Sequence, residues 1–237
     1  MTELMNFFSG YWLQILIVIV LAYLISSVNT SIIVTRIVLH KDIRTLGSGN
    51  AGFTNVLRCV GKFPAVITFI GDFLKGVISV AIAYFLLFHA SGSEEILYRT
   101  YLMYTAGLFA VIGHTFPVYY KFKGGKGVVT TASVMLMTDW RMLAIALLVF
   151  VIMFLSTKII SICAIVNAAI YPVATITLKM LDCTGVTKFL SPTPSSVSLA
   201  VYAFAVSFLI AALVIFRHKD NIKRLRNGTE KKITAKK

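Results

Sequence analysis

Two stretches of this chain gather glycines, short polar side chains and cations in patterns suited to binding an anion. The first, LGSGNAGFTNVLR at residues 46–58, spaces Gly47, Gly49 and Gly52 as G-x-G-x-x-G. That spacing marks a dinucleotide turn only where a buried strand enters it and an acidic residue follows about 20 residues later in a βαβ unit. Here an apolar run and the basic segment HKDIRT precede it, and the next acidic residue, Asp72, lies inside another apolar run. The nucleotide reading therefore fails. Closely spaced glycines still let backbone N–H groups converge on a phosphate or carboxylate, with Ser48, Asn50, Thr54 and Asn55 as short polar donors and Arg58 as a bidentate fork. The plainer alternative is a re-entrant turn whose polar side chains satisfy one another.

The second stretch, GHTFPVYYKFKGGKGVVTT at residues 113–131, sets Lys121, Lys123 and Lys126 around Gly124 and Gly125, and Gly127 opens a run that can be helical. A helix N-terminus would add its partial positive charge to three ammonium groups. It is not a Walker A loop, because Val128 follows Gly127 where a magnesium-holding Ser or Thr is needed. His114 opens this stretch and reads first as a hydrogen-bonded structural histidine. Asp72 and Lys75, spaced i, i+3, can pair along one helix face and enter a membrane nearly neutral. Ser156, Thr157, Lys158, Ser161 and Asn167 form a third polar set, beside Cys163 and Ala164, which allow close helix packing.

Absences narrow the chemistry. The chain has no G-x-S-x-G elbow and no H-E-x-x-H, and the residues five after His114 and His218 are Tyr119 and Lys223, so the His-x-x-x-x-Asp acyltransferase signature is missing. Cys59, Cys163 and Cys183 are odd in number and form no C-x-x-C pair. No metal, cofactor or disulfide is implied.

The elements that must position these groups are membrane helices. With 58% hydrophobic and 14% charged residues among 237, the chain is too apolar for a water-soluble domain of its size. Its net charge of +14 lies between and after apolar runs rather than on a soluble face, which argues against nucleic acid and for anionic lipid and anionic substrates. A span takes about 20 apolar residues. Clear runs occupy about 10–38, 64–88, 98–119, 160–179 and 197–217, and the stretch 128–156 divides into two short spans turning at 138–141, where Asp139, Trp140 and Arg141 interrupt it. The expected fold is thus an all-α polytopic membrane protein of about seven transmembrane helices, one domain over 1–237 with a basic tail at 217–237. Seven spans put all four basic clusters (Lys41, Arg44, Arg58 and Lys62; Lys121, Lys123 and Lys126; Lys158; and the tail from Arg217 to Lys237) on one face, as cytoplasmic retention of Lys and Arg requires. The loops at 91–95, 138–141 and 182–194 then lie on the other face, with the N-terminus outside and the tail inside. Five spans would give the same orientation. The tail, with Ile222 and Leu225 at i, i+3, suits a helix lying on the membrane surface.

Together LGSGNAGFTNVLR, GHTFPVYYKFKGGKGVVTT and RHKDNIKRLRNGTE resemble the bacterial membrane acyl-phosphate:glycerol-3-phosphate acyltransferases, the PlsY family, along nearly the whole chain. TKIISICAIVNAA matches that family's third internal motif only loosely, and Ala51 and Phe53 depart from its usual residues around Gly52. The resemblance implies transfer of a fatty acyl group from acyl phosphate to the 1-hydroxyl of glycerol 3-phosphate in a bacterial cytoplasmic membrane, giving lysophosphatidic acid without a covalent acyl-enzyme. It implies catalytic roles for Ser48, His218 and Asn221, with His218 or a phosphate oxygen of the donor as base. It implies phosphate binding by Ser48, Gly49, Asn50, Gly52, Thr54, Asn55, Arg58, Lys123, Gly124, Gly125, Lys126 and Gly127, with His114 and Ser161 in support. The competing class is a channel or transporter for a phosphorylated anion. Transporters favour mid-bilayer ionisable groups and repeated halves, whereas here the motifs gather at one face and no repeat is seen.

Overall fold

The computed structural model describes residues 2–87, 93–187, 190–191, 193 and 195–232. Parts of the expected outer loops at 91–95 and 182–194, the end of the run 64–88 and the last residues of the tail lie outside the described residues. The described secondary structure is helical, and the chain is an integral, multi-pass membrane protein. Among the described residues, six helical stretches are long and apolar enough to cross a bilayer.

The contacts divide the chain into two compact units, Met1–Thr138 and Asp139–Lys237. In the first, α1 (Thr2–Gly10) precedes α2 (Trp12–Ser27) and α3 (Thr30–Leu39). The run expected as one span, 10–38, is therefore broken. Asn29 makes the break: its side chain accepts from Ile32 N at 3.1 Å and from Ser31 Oγ at 2.6 Å, an N-cap that starts a new helix. A 3₁₀ turn (Ile43–Thr45) and α4 (Phe53–Cys59) carry the first motif. Next come α5 (Lys62–Leu86) and α6 (Ser93–Thr115), a 3₁₀ turn (Val118–Tyr120) within the second motif, and α7 (Val128–Thr138). Helix α6 packs on α2, α5 and α7, and α5 also takes α3 and α4.

At 11 residues α7 rises about 16 Å, half the roughly 30 Å of hydrocarbon. The described residues thus hold six full-length candidates and one short apolar helix where seven spans are expected, and the turn falls at 138–141. Asp139 caps the next helix by accepting from Arg141 N at 3.2 Å.

The second unit is α8 (Trp140–Thr157), α9 (Ile160–Cys183), α10 (Val197–Arg217) and α11 (Lys219–Arg226), with α9 packed between α8 and α10. Helix α9 reaches Cys183, so Asp182, expected to open a loop, is inside a helix and buried.

Candidate functional site

The first motif is a loop wound around Asn55. The Asn55 side chain is 2% exposed. Its Nδ2 donates to the carbonyls of Leu46 (2.9 Å) and Ile43 (3.3 Å), while its Oδ1 accepts from Ser48 N (3.0 Å) and from the Cys59 thiol (3.6 Å). Both amide hydrogens are spent, so Asn55, expected to donate to phosphate, fixes the loop instead, and the Ser48 N–H is spent with it. Gly47 makes this winding possible. Its φ is +56°, and a Cβ there would lie 2.5 Å from both Asn55 Oδ1 and Cys59 Sγ. Ser48 and Gly49 are exposed, Asn50 and Thr54 half-buried, and Gly52 is buried at the N-cap of α4. Arg58, in the last turn of α4, is exposed, and its guanidinium makes no hydrogen bond or ion pair among the described residues.

The second motif folds back onto the end of α6. Gly124 N donates to Thr115 O (3.1 Å) and Gly125 N to His114 O (3.2 Å). These two amides, expected to face phosphate, tie the loop to its own helix. A Cβ on Gly125 would fall on the His114 imidazole and 2.7 Å from the Ala51 carbonyl oxygen, so the two motif loops touch here. Lys123 is exposed and Lys126 half-buried. Gly127, at φ +84°, accepts from Thr131 N at 2.8 Å and starts α7. The N-terminus of α7 is therefore beside Lys126, as expected.

Arg44 is a residue that charge counting treats as a cytoplasmic marker, and it proves to be the strap between the loops. Its Nε and Nη2 bond Asp42 at 3.0 and 2.7 Å, while Nη1 donates to Tyr120 O (2.8 Å) and Lys123 O (3.3 Å). The Arg44 guanidinium holds the Asp42 carboxyl down to about 2, against a smaller upward push from burial. Beneath the loops, buried Asp72 pairs with Lys75 at 3.0 Å, as the i, i+3 spacing predicts, and lies 3.7 Å from His114 Nδ1. His114 is buried, and its tie to Asp72, 42 positions away, has no signal in the sequence.

In the second unit, the tail turns back at Gly228 and places Glu230 against α9 and α11. Its Oε1 accepts from Ser161 Oγ (2.8 Å) and Asn221 Nδ2 (2.7 Å), and its Oε2 from Arg224 Nε (2.6 Å). Burial opposes the charge on Glu230, yet these donors hold its carboxyl below the usual range. Ser161 and Asn221, both expected at the site, are thus brought together by Glu230, a role that no local sequence pattern signals. His218, 2% exposed at the end of α10, has Nδ1 2.7 Å from Val214 O. A carbonyl only accepts, so Nδ1 carries the proton and the lone pair of a neutral ring is on Nε2. Among the described residues, the Asn167 side chain bonds only its own helix, at Cys163 O.

At the other end of α9 lies a charge cluster whose members the sequence spreads over the 138–141 turn, the run 160–179 and the 182–194 loop. Arg141 makes paired bonds to Asp139 (2.8 and 2.7 Å) and Asp182 (2.8 and 2.6 Å), and Lys179 lies 3.2 Å from Asp139. All four are buried and their charges cancel. A neutral cluster is the form in which such groups enter an apolar environment.

A family model described as glycerol-3-phosphate acyltransferase matches residues 16–228. A glycerol-3-phosphate acyltransferase of Clostridioides difficile is 38% identical over 222 residues, covering 94% of this chain and 97% of that protein. One from Coxiella burnetii is 37% identical over 218 residues, covering 92% and 97%. Among solved structures, PlsY, an integral membrane glycerol 3-phosphate acyltransferase, matches in its glycerol 3-phosphate form. The TM-score is 0.72, the identity 30%, and the coverage 93% of this chain and 96% of that one. Its lysophosphatidic acid form matches with a TM-score of 0.68. With motifs, fold and near full-length similarity in agreement, the chain belongs to the glycerol-3-phosphate acyltransferase family, as a PlsY-type member.

Proposed function

We propose that this protein transfers a fatty acyl group from acyl phosphate to the 1-hydroxyl of glycerol 3-phosphate, giving lysophosphatidic acid and inorganic phosphate. The observation that carries the reading is a division of labour in the first unit. Asn55, Arg44, Gly124 and Gly125 are spent on building the loops, while the Arg58 guanidinium on the same frame stays exposed and unbonded. Arg58, Lys123 and Lys126 then neutralise phosphate through charge-assisted bonds. Ser48, Asn50, Thr54 and the start of α7 supply further donors.

In the transfer, the glycerol hydroxyl oxygen attacks the acyl carbonyl carbon, the bond from that carbon to the phosphate oxygen breaks, and phosphate leaves. The hydroxyl proton goes to a phosphate oxygen of the donor or to Nε2 of His218. Holding the two reactants together contributes about 7–11 kcal/mol in favourable cases. No acyl-enzyme forms and no metal is used, and Asn221 acts with His218 in the tail motif. The full chain acts as one domain in a bacterial cytoplasmic membrane, N-terminus outside and basic tail inside, in keeping with the positive-inside rule.

The test is purified protein in detergent with acyl phosphate and labelled glycerol 3-phosphate. Labelled lysophosphatidic acid is expected, and its absence from folded protein refutes the reading. Arg58→Ala and Lys126→Ala each remove a charged hydrogen bond of about 1.5–3 kcal/mol and lower kcat/KM about 10- to 100-fold. Unchanged activity in both overturns the site assignment. An acyl group trapped on Ser48 or Cys59 during turnover would exclude direct transfer.

A further inference from the structure

The buried chain Lys75–Asp72–His114 takes no part in the proposed chemistry, yet it ends on the loop that carries Lys126. Asp72 is 1% exposed, and its Oδ1 lies 3.0 Å from Lys75 Nζ and 3.7 Å from His114 Nδ1. Lys75 Nζ also donates at 2.9 Å to Val28 O, at the break between α2 and α3. Thr130, in the first turn of α7, donates its hydroxyl to Asp72 O at 3.3 Å. The Nδ1 edge of the imidazole therefore faces a carboxylate whose partner Lys75 is tied to the break between α2 and α3, on a residue whose backbone carbonyl is held by α7.

The opposite edge of the ring faces Gly125. The place a Cβ would take on Gly125 coincides with Nε2 and Cε1 of His114, and Gly125 N is bonded to the carbonyl of the same histidine. Gly125 is thus held by ring and backbone together, and Lys126 is the next residue. A ring held by packing alone has two near-equivalent orientations about its last torsion, whereas a carboxylate at Nδ1 selects one.

We propose that His114 is a positioning residue: its imidazole, oriented by Asp72, sets the path of Gly125 and so the point at which the Lys126 ammonium meets the phosphate of glycerol 3-phosphate. This rests on the acyltransferase reading above. It assigns His114 no contact with substrate and no proton transfer, and it predicts a loss confined to recognition of one substrate.

The test compares His114→Asn, which keeps a donor at the Nδ1 position but falls short of Gly125, with His114→Gln, which reaches the Nε2 position. For His114→Asn the KM for glycerol 3-phosphate rises about tenfold, with kcat and the donor KM within about threefold, while His114→Gln stays within about threefold of the unsubstituted protein throughout. Gly125→Ala, whose Cβ meets both the His114 ring and the Ala51 carbonyl oxygen, also raises the KM for glycerol 3-phosphate, so the test does not hang on one variant folding. Binding of labelled glycerol 3-phosphate without donor follows the same order. An unchanged KM in both His114→Asn and Gly125→Ala, or a fall in kcat alone in both histidine variants, overturns the proposal. If the unsubstituted protein binds glycerol 3-phosphate but does not acylate it, the acyltransferase reading fails while the binding series still decides on His114; if it binds none, both fall.

Discussion

Asn55→Ala separates a residue that builds the first motif loop from one that binds phosphate. The substitution removes two donated bonds, to Leu46 O and Ile43 O, and the acceptor for Ser48 N. At about 1 kcal/mol net for each bond, the loss is about 3 kcal/mol. For a chain of this length that corresponds to about 6–12 °C in melting temperature. The fall should appear in detergent without any substrate, because the bonds exist without it. Asn55→Asp should fall further, since it turns an acceptor toward two carbonyl oxygens where the amide donates. The assay is thermal unfolding of the purified variants, followed by the KM for glycerol 3-phosphate at a temperature where both remain folded. A ligand would behave in the opposite way, with an unaltered substrate-free melting temperature and a raised KM. That outcome would refute the assignment of Asn55 to the loop.

The Asp42 carboxyl, held at about 2 in the folded protein against an ordinary 3.8, stabilises the strap fully above pH 4 and ceases to do so as pH falls toward 2. Asp42→Asn should therefore narrow its stability gap to the unsubstituted protein over that interval, and a gap that stays constant from pH 5 to pH 2.5 would show that Arg44 and Asp42 do not pair. In the second unit, Lys179→Met leaves the Asp139–Arg141–Asp182 cluster with an uncompensated negative charge, at a cost of about 3–5 kcal/mol. Lys179→Met with Asp139→Asn keeps the cluster neutral and the Arg141–Asp182 fork intact, so the double variant should melt above the single one; strict additivity would disprove the coupling.

The parts of this structure that were legible in the sequence are those encoded by neighbours. The Asp72–Lys75 pair follows from i, i+3 spacing, and the turn at 138–141 follows from charges that interrupt an apolar run. The start of α7 after Gly127 follows from a glycine that opens a run able to be helical. The break in the first span was legible too, in Ser26, Ser27, Asn29, Thr30 and Ser31, but counting apolar residues hides a capping asparagine. Asn55 is visible as a short polar donor, but residue type says that a side chain can bond an anion and not whether a carbonyl is nearer, and the strapping role of Arg44 is invisible to a count of charges. The Arg141–Asp182 fork joins residues 41 apart, and Ser161 reaches Glu230 across 69. No local period reports such partners.

That difference bears on how a polar motif at a membrane should be read. In water a spare donor costs little, so motif residues can wait for a ligand. Near an apolar interior an unmade bond costs about 1–3 kcal/mol, so a loop rich in Asn, Ser and Gly first satisfies itself. The residues left for an anion are then those whose charge keeps them at the exposed rim, here Arg58 and Lys123. It follows that charge-reversing Arg58→Glu should abolish phosphate recognition without lowering the substrate-free melting temperature, since nothing in the described fold bonds to that guanidinium. A fall in that melting temperature as large as that of Asn55→Ala would mean that Arg58 belongs to the frame and that the anion is held elsewhere.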